Sequence, residues 1–214
     1  SIPSNRIGVK ISNINEINNE SYKKFDSIIV SYSSDTDYSS VKIKDQSIFL
    51  DIDSINSFST EEIIGLTNND LIPIISTDKL SYGTSKISIS KILISKLSSD
   101  RNDGLYPTIV SDIYNNSLGL CYSSNESIEK ALVDKVGVYQ SRKHGLWVKG
   151  LTSGSTQSLI SIQLDCDNDT LKFVVDQSGT GFCHLNTNTC FGNLNGLSKL
   201  EQTLIQRKWN APQG

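Results

Sequence analysis

Between Leu159 and Val175 apolar and polar side chains alternate with a period of two. Ile160, Ile162 and Leu164 are spaced by Ser161 and Gln163, and Leu171, Phe173 and Val175 repeat the pattern. The segment between them, Asp165-Cys166-Asp167-Asn168-Asp169, has the Asp/Asn content of a turn, so a β-hairpin is predicted. Upstream, Arg6–Ile11, Ser27–Tyr32, Ser47–Ile52 and Leu71–Ile75 are short apolar strand candidates. Ser59 and Glu62 have capping-box spacing ahead of Ile63 and Ile64, and the apolar residues of Lys86–Leu97 predict a second helix. Strands alternating with helices imply a small α/β unit with a partly parallel sheet.

The polar, turn-rich stretch Ser98–Gly104 is a natural boundary. After it, Thr108–Val110 and Ser117–Tyr122 predict two strands, and Ser124 opens a helix that should end near Gly137. Leu146-Trp147-Val148 is strand-like. The fold class expected is α+β: a small N-terminal α/β domain over residues 1–98, then a β-rich domain over residues 99–194. Gly192–Gly196 has linker composition, and Leu197–Lys208 is amphipathic with Pro212 as its stop, so residues 195–214 form a third segment.

Composition narrows the function. A net charge of −3 with 20% charged residues offers no basic field for nucleic acid. No run approaches the apolar length of a membrane span, and no basic-then-apolar leader opens the chain. Four cysteines in 214 residues do not make a disulfide scaffold, and their clustering with Asp and His favours metal in a reducing compartment, with cytoplasm expected.

Three of the cysteines, Cys166, Cys183 and Cys190, fall with His184 in or just after the hairpin. Strand parity puts Asp165 and Asp167 on one side and Cys166 on the other, with Asp169 sharing the aspartate parity. Carboxylate oxygens suit Mg²⁺ and thiolates suit zinc. Three thiolates leave a tetrahedral zinc one position short, and a water there is a catalytic arrangement. Cys121, between Leu120 and Tyr122, is expected to be a buried core thiol away from this stretch. The Asp51-Ile52-Asp53 pair is expected to be a solvated strand end, and His144 an exposed turn residue. Arg142 and Lys149 flank Trp147, and by composition alone they are surface charges around a packed indole. Arginine forks and lysine ammoniums also bind phosphate, with Thr152, Ser153 and Gly154 able to add donors.

Asp-Cys-Asp-x-Asp at 165–169, Cys-His at 183–184 and Thr-Cys-Phe at 189–191 together resemble the phosphoribosyl-AMP cyclohydrolase family. The resemblance extends upstream through Asp103-Gly104-Leu105, Pro107, Ser141-Arg142, Leu146-Trp147, Lys149-Gly150, Thr152-Ser153-Gly154 and Gln157. It implies hydrolytic opening of the adenine ring of 1-(5-phosphoribosyl)-AMP between N1 and C6, in histidine biosynthesis. It implies Zn²⁺ on Cys166, Cys183 and Cys190, Mg²⁺ on Asp165, Asp167 and Asp169, and His184 as general base or acid. It further implies that Arg142, Trp147, Lys149, Thr152, Ser153 and Gly154 contact the nucleotide substrate. An intertwined homodimer is implied as well, with Cys166 coming from the partner subunit; neither nucleic acid nor membrane is an expected partner.

Three positions depart from the family pattern. Leu151 stands where an acidic residue is usual, Leu185-Asn186 replace Thr-Gly, and Gly179–Phe182 is one residue longer than the usual approach. At the far end, Leu200-Glu201-Gln202-Thr203, Arg207-Lys208 and Pro212-Gln213-Gly214 resemble the opening helix of the phosphoribosyl-ATP pyrophosphohydrolase family. Fusion in that order, after an N-terminal extension, resembles the multifunctional fungal enzymes of histidine biosynthesis. The competing expectation is a catalytically silent, zinc-clamped dimerisation or scaffold piece of a larger enzyme. A zinc nucleobase deaminase lacks support, because its His-x-Glu and Pro-Cys-x-x-Cys are absent.

Overall fold

The computed structural model describes residues 8–39, 41, 46–53, 58–82 and 87–191. The predicted helix and linker over 195–214 therefore lie outside the described residues, as do Arg6 and Ile7 of the first strand candidate. Two compact units make up the chain, Ser1–Lys96 and Leu97–Gly214.

In the first unit, β1 (Gly8–Ile11), β2 (Ser27–Ser31), β3 (Ser47–Asp51) and β4 (Leu71–Ile74) pair in chain order. All three pairings are parallel, where a partly parallel sheet was expected. Alternation explains the inward face: Ile28, Val30, Ile48 and Leu50 are buried and packed with Ile63 and Leu66 of α1 (Thr60–Asn68). The Ser59–Glu62 capping box forms, with Ser59 Oγ accepting from the Glu62 N–H and Glu62 from the Ser59 N–H. The segment predicted as one helix over Lys86–Leu97 divides. Ile87–Ser88 is a short strand, β6, parallel to β5 (Leu80–Ser81), and the helix α2 covers Ile89–Lys96. The β-branched Ile87 suits extended backbone, and its pairing with Leu80 holds it there, so the helix starts late. Asp51 pairs with Lys10 at 2.7 Å and Asp53 accepts from the Ser76 N–H, as solvated strand-end groups do.

The second unit is built on β7 (Tyr106–Ser111), β8 (Ser117–Ser123), β11 (Gln157–Leu164) and β12 (Leu171–Gln177), in spatial order β11-β12-β7-β8. The hairpin β11–β12 is antiparallel, as alternation predicts, but a bulge interrupts the register between Leu159 and Ser161. Ile160 sits at that bulge and is exposed, so it does not share the inward face with Ile162. The core gathers Val110, Leu118, Leu171, Phe173 and Val175. The helix α3 (Asn125–Asp134), capped by Ser124, adds Ile128 and Ala131 to it. It ends before Gly137, because Lys135 takes a left-handed conformation (φ 56°) as its C-cap. The second hairpin, β9 (Val138–Ser141) with β10 (Gly145–Val148), joins this core through the buried Tyr139. The Tyr139 ring lies 5.5 Å from Phe173 and 5.7 Å from Trp147. No described helix is long and apolar enough to cross a membrane.

Candidate active site

The hairpin β11–β12 carries chemistry at both ends. At its tip, Asn168 adopts φ 63°, and Asp165 Oδ1 accepts the N–H groups of Asp169 and Thr170, each at 3.1 Å. This turn brings one carboxylate oxygen each from Asp165, Asp167 and Asp169 within 4.8 Å of one another. Desolvation pushes the Asp165 carboxyl up, but the N–H groups of Thr170 and Asp169 outweigh it and leave its pKa below the ordinary value. The cluster faces solvent, a setting suited to an oxygen-loving divalent cation. Cys166 is exposed, its thiol 3.9 Å from Asp167 Oδ1.

Beyond the other end of β12, residues 181–191 fold back against β8. The Cys190 N–H donates to Leu118 O at 2.7 Å and Thr189 Oγ1 donates to Ser117 O at 2.8 Å. The loop itself is a tight reversal: Phe182 N–H to Asn188 O, Cys183 N–H to Thr187 O, and Asn186 N–H to Cys183 O. Within it the Leu185 and His184 N–H groups, the Thr187 hydroxyl and the Cys190 thiol surround the Cys183 sulfur, and the Thr187 hydroxyl donates to Thr189 O at 3.0 Å. Those donors, the Leu185 N–H foremost, hold the Cys183 thiol below its ordinary pKa. Cys190 moves the other way, pushed up by burial and by its hydrogen bond to Cys183. The two sulfurs of the pair are thus shifted in opposite directions. His184 is exposed, with Nδ1 3.9 Å from the Cys183 sulfur.

Cys166 does not join this pair. The seven-residue strand β12 intervenes, a span of about 23 Å. Among the described residues the aspartates at the tip are the one group of three or more His, Cys, Asp or Glu donors close enough to share an ion. One chain therefore presents two thiols and an imidazole at one end of the hairpin and the third thiol at the other.

Cys121 is buried, as expected, but it is not remote from the metal stretch. Burial, then the charge of Cys190, push its thiol up to about 12. The fold explains the proximity: Gly119 and Cys121 face inward on β8, and the Phe182 ring fills the space over Gly119. The available signal was Gly119 itself, a glycine inside an apolar strand, which marks a close approach.

Lys149 is 7% exposed. Its ammonium lies 5.8 Å from the Trp147 ring centroid and 5.3 Å from that of Phe182. Burial lowers its pKa, opposed by the charges of Cys121, Cys190 and Cys183. Thr152, Ser153 and Gly154 are exposed on the loop that follows, and Trp147 is 39% exposed. That loop is anchored where the Thr180 N–H donates to Ser155 Oγ at 3.2 Å. Arg142 is exposed and lies over the Tyr122 ring at 4.7 Å, as Arg101 does at 4.5 Å. His144 is exposed in the β9–β10 turn.

A protein of Thermobifida fusca named phosphoribosyl-AMP cyclohydrolase is 45% identical over 91 residues, which are 78% of its length and 42% of this chain. The chain belongs to the phosphoribosyl-AMP cyclohydrolase family. The family profile of that name matches residues 119–192, a span holding most of β8, the hairpin and the cysteine loop. Fungal relatives match more of the chain. A histidine biosynthesis trifunctional protein of Komagataella pastoris is 49% identical, covering 75% of this chain and 20% of that protein. A histidine biosynthesis bifunctional protein of Schizosaccharomyces pombe is 46% identical, covering 75% of this chain and 37% of that protein. The chain thus spans a fifth to about a third of the length of these multifunctional relatives.

Proposed function

We propose that this cyclohydrolase-family chain hydrolyses the adenine ring of 1-(5-phosphoribosyl)-AMP at the N1–C6 bond, as a step of histidine biosynthesis in the cytoplasm. The observation that carries the reading is the cysteine loop, where the thiols of Cys183 and Cys190 and the imidazole of His184 converge. A soft donor set of this kind fits zinc. Cys183 and Cys190 would hold the ion together with Cys166 of a second copy, since Cys166 lies at the far end of its own hairpin. When bound, zinc supplies a water acidic enough to be deprotonated near neutral pH.

The residues of the chain do the rest. His184 accepts the proton of the water that adds to C6 and returns it to N1 as the N1–C6 bond breaks. The oxygen becomes the carboxamide carbonyl as its remaining proton passes to the exocyclic imine nitrogen, which stays on C6 as the amide NH2, and N1 leaves as part of the formimino group. Trp147 offers an exposed indole to the purine, and Arg142, Thr152, Ser153 and Gly154 supply donors and positive charge for the phosphates. Asp165, Asp167 and Asp169 would hold Mg²⁺, which offsets phosphate charge. An intertwined homodimer follows from sharing Cys166.

A structural zinc clamp has one observation in its favour. His184 is near enough to Cys183 to become a fourth protein ligand, which would close the metal to water. His184→Ala separates the two readings when zinc content and phosphoribosyl-AMP hydrolysis are both measured. Zinc kept with turnover reduced about 100-fold or more supports catalysis. Zinc lost along with turnover supports the clamp.

A further inference from the structure

Resting on the zinc reading above, we infer that Lys149 is a positioning residue for the thiolate centre: its ammonium is a fixed counter-charge for Cys183 and Cys190. The family resemblance groups Lys149 with the phosphate-binding residues, yet its surroundings differ from theirs. Arg142, Thr152, Ser153 and Gly154 are exposed, whereas Lys149 is 7% exposed. Its backbone is fixed on both sides. The Lys149 N–H donates to Gly137 O at 2.9 Å, and the next residue, Gly150 (φ 82°), is packed so that an added Cβ would come within 2.5 Å of Thr156 N.

The ammonium is walled by two rings, Trp147 at 5.8 Å and Phe182 at 5.3 Å. Phe182 precedes Cys183 directly, so the same ring that seats the cysteine loop on Gly119 also contacts the lysine. Aromatic faces favour a cation but do not neutralise it. No carboxylate of the described residues forms a salt bridge with Lys149. The anionic partners within electrostatic reach are sulfurs, those of Cys121, Cys190 and Cys183. Cys183 and Cys190 lie on the loop that Phe182 joins to the lysine, which makes this pair the charge that Lys149 balances.

A site of three thiolates around a divalent ion carries excess negative charge in a partly buried place. A neighbouring fixed cation offsets that charge and so strengthens metal binding. Outer groups of this type typically change metal affinity by about 10- to 100-fold.

The test compares zinc affinity, by competition with a chelator, in the parent, Lys149→Met and Lys149→Arg. The expected result is zinc binding weakened about 10- to 100-fold in Lys149→Met and largely kept in Lys149→Arg. The KM for phosphoribosyl-AMP in zinc-saturated Lys149→Met should stay close to the parent value. Unchanged zinc affinity with a raised KM would make Lys149 a substrate contact and overturn the inference. Equal loss in Met and Arg variants would mark a packing role and overturn it too. A parent that binds no zinc would overturn the zinc reading itself and this inference with it.

Discussion

Gly119 and Phe182 occupy one space. A Cβ added to Gly119 would overlap the Phe182 ring, coming within 2.8 Å of its Cδ1 carbon. The ring is the wedge that seats the Cys183–Cys190 loop on β8, next to the backbone bond from Cys190 to Leu118. Gly119→Ala should destabilise the unit by about 1–3 kcal/mol through overpacking. It should also weaken zinc binding, because the loop must lift to relieve the overlap. Thermal unfolding and chelator competition on the same samples check this; a normal melting temperature with normal zinc affinity would refute the wedge.

Cys121 makes stability depend on alkaline pH. Its thiol is held up to about 12 from an ordinary value of 9.0, first by burial and then by the charge of Cys190. The folded state therefore binds this proton more tightly than the unfolded state does. Its contribution is complete below about pH 9 and is lost as pH rises from there toward about 12. Denaturant midpoints should fall across that window in the parent and fall less in Cys121→Val, which removes the titrating group. Parallel curves for the two proteins would contradict the assignment.

At the hairpin tip the three aspartates divide their tasks. Asp165 closes the turn through two N–H bonds, while Asp167 makes no backbone bond of that kind. Asp167→Asn should weaken Mg²⁺ binding about tenfold, read by calorimetry, with little change in melting temperature. Asp165→Ala should lose both Mg²⁺ binding and thermal stability. Equal melting temperatures in the two variants would show that the turn does not depend on Asp165.

A zinc site shared between subunits, as proposed, would have a complementation signature. Cys166→Ala and His184→Ala should each be inactive as pure homodimers. After unfolding and refolding as a mixture, about a quarter of parental activity should return, from heterodimers with one intact site of two. No recovery in mixed dimers would place Cys166, Cys183 and Cys190 in the same chain.

Much of this was legible from local pattern. The period-two alternation specified β11 and β12, and Asp/Asn content marked the tip that gathers the carboxylates. The Ser59–Glu62 capping box forms because its partners are only three residues apart. What escaped was set by neighbours distant in the chain. Ile160 is turned outward by a bulge that depends on the pairing with β12, and no single-strand pattern encodes it. The split of the segment at Ile87–Ser88 comes from pairing with Leu80–Ser81. Cys121 lies 69 positions from Cys190 in the sequence, and the two meet only because the cysteine loop returns to β8. The burial of Lys149 between Trp147 and Phe182 arises in the same way.

The most direct measurement is turnover of phosphoribosyl-AMP by the purified, zinc-loaded chain, with AMP lacking the second ribosyl group as the comparison. The account predicts ring opening of phosphoribosyl-AMP to the formimino-carboxamide product, loss of turnover when zinc is chelated, and no reaction with AMP. A dimeric, zinc-loaded chain that leaves phosphoribosyl-AMP intact would contradict it.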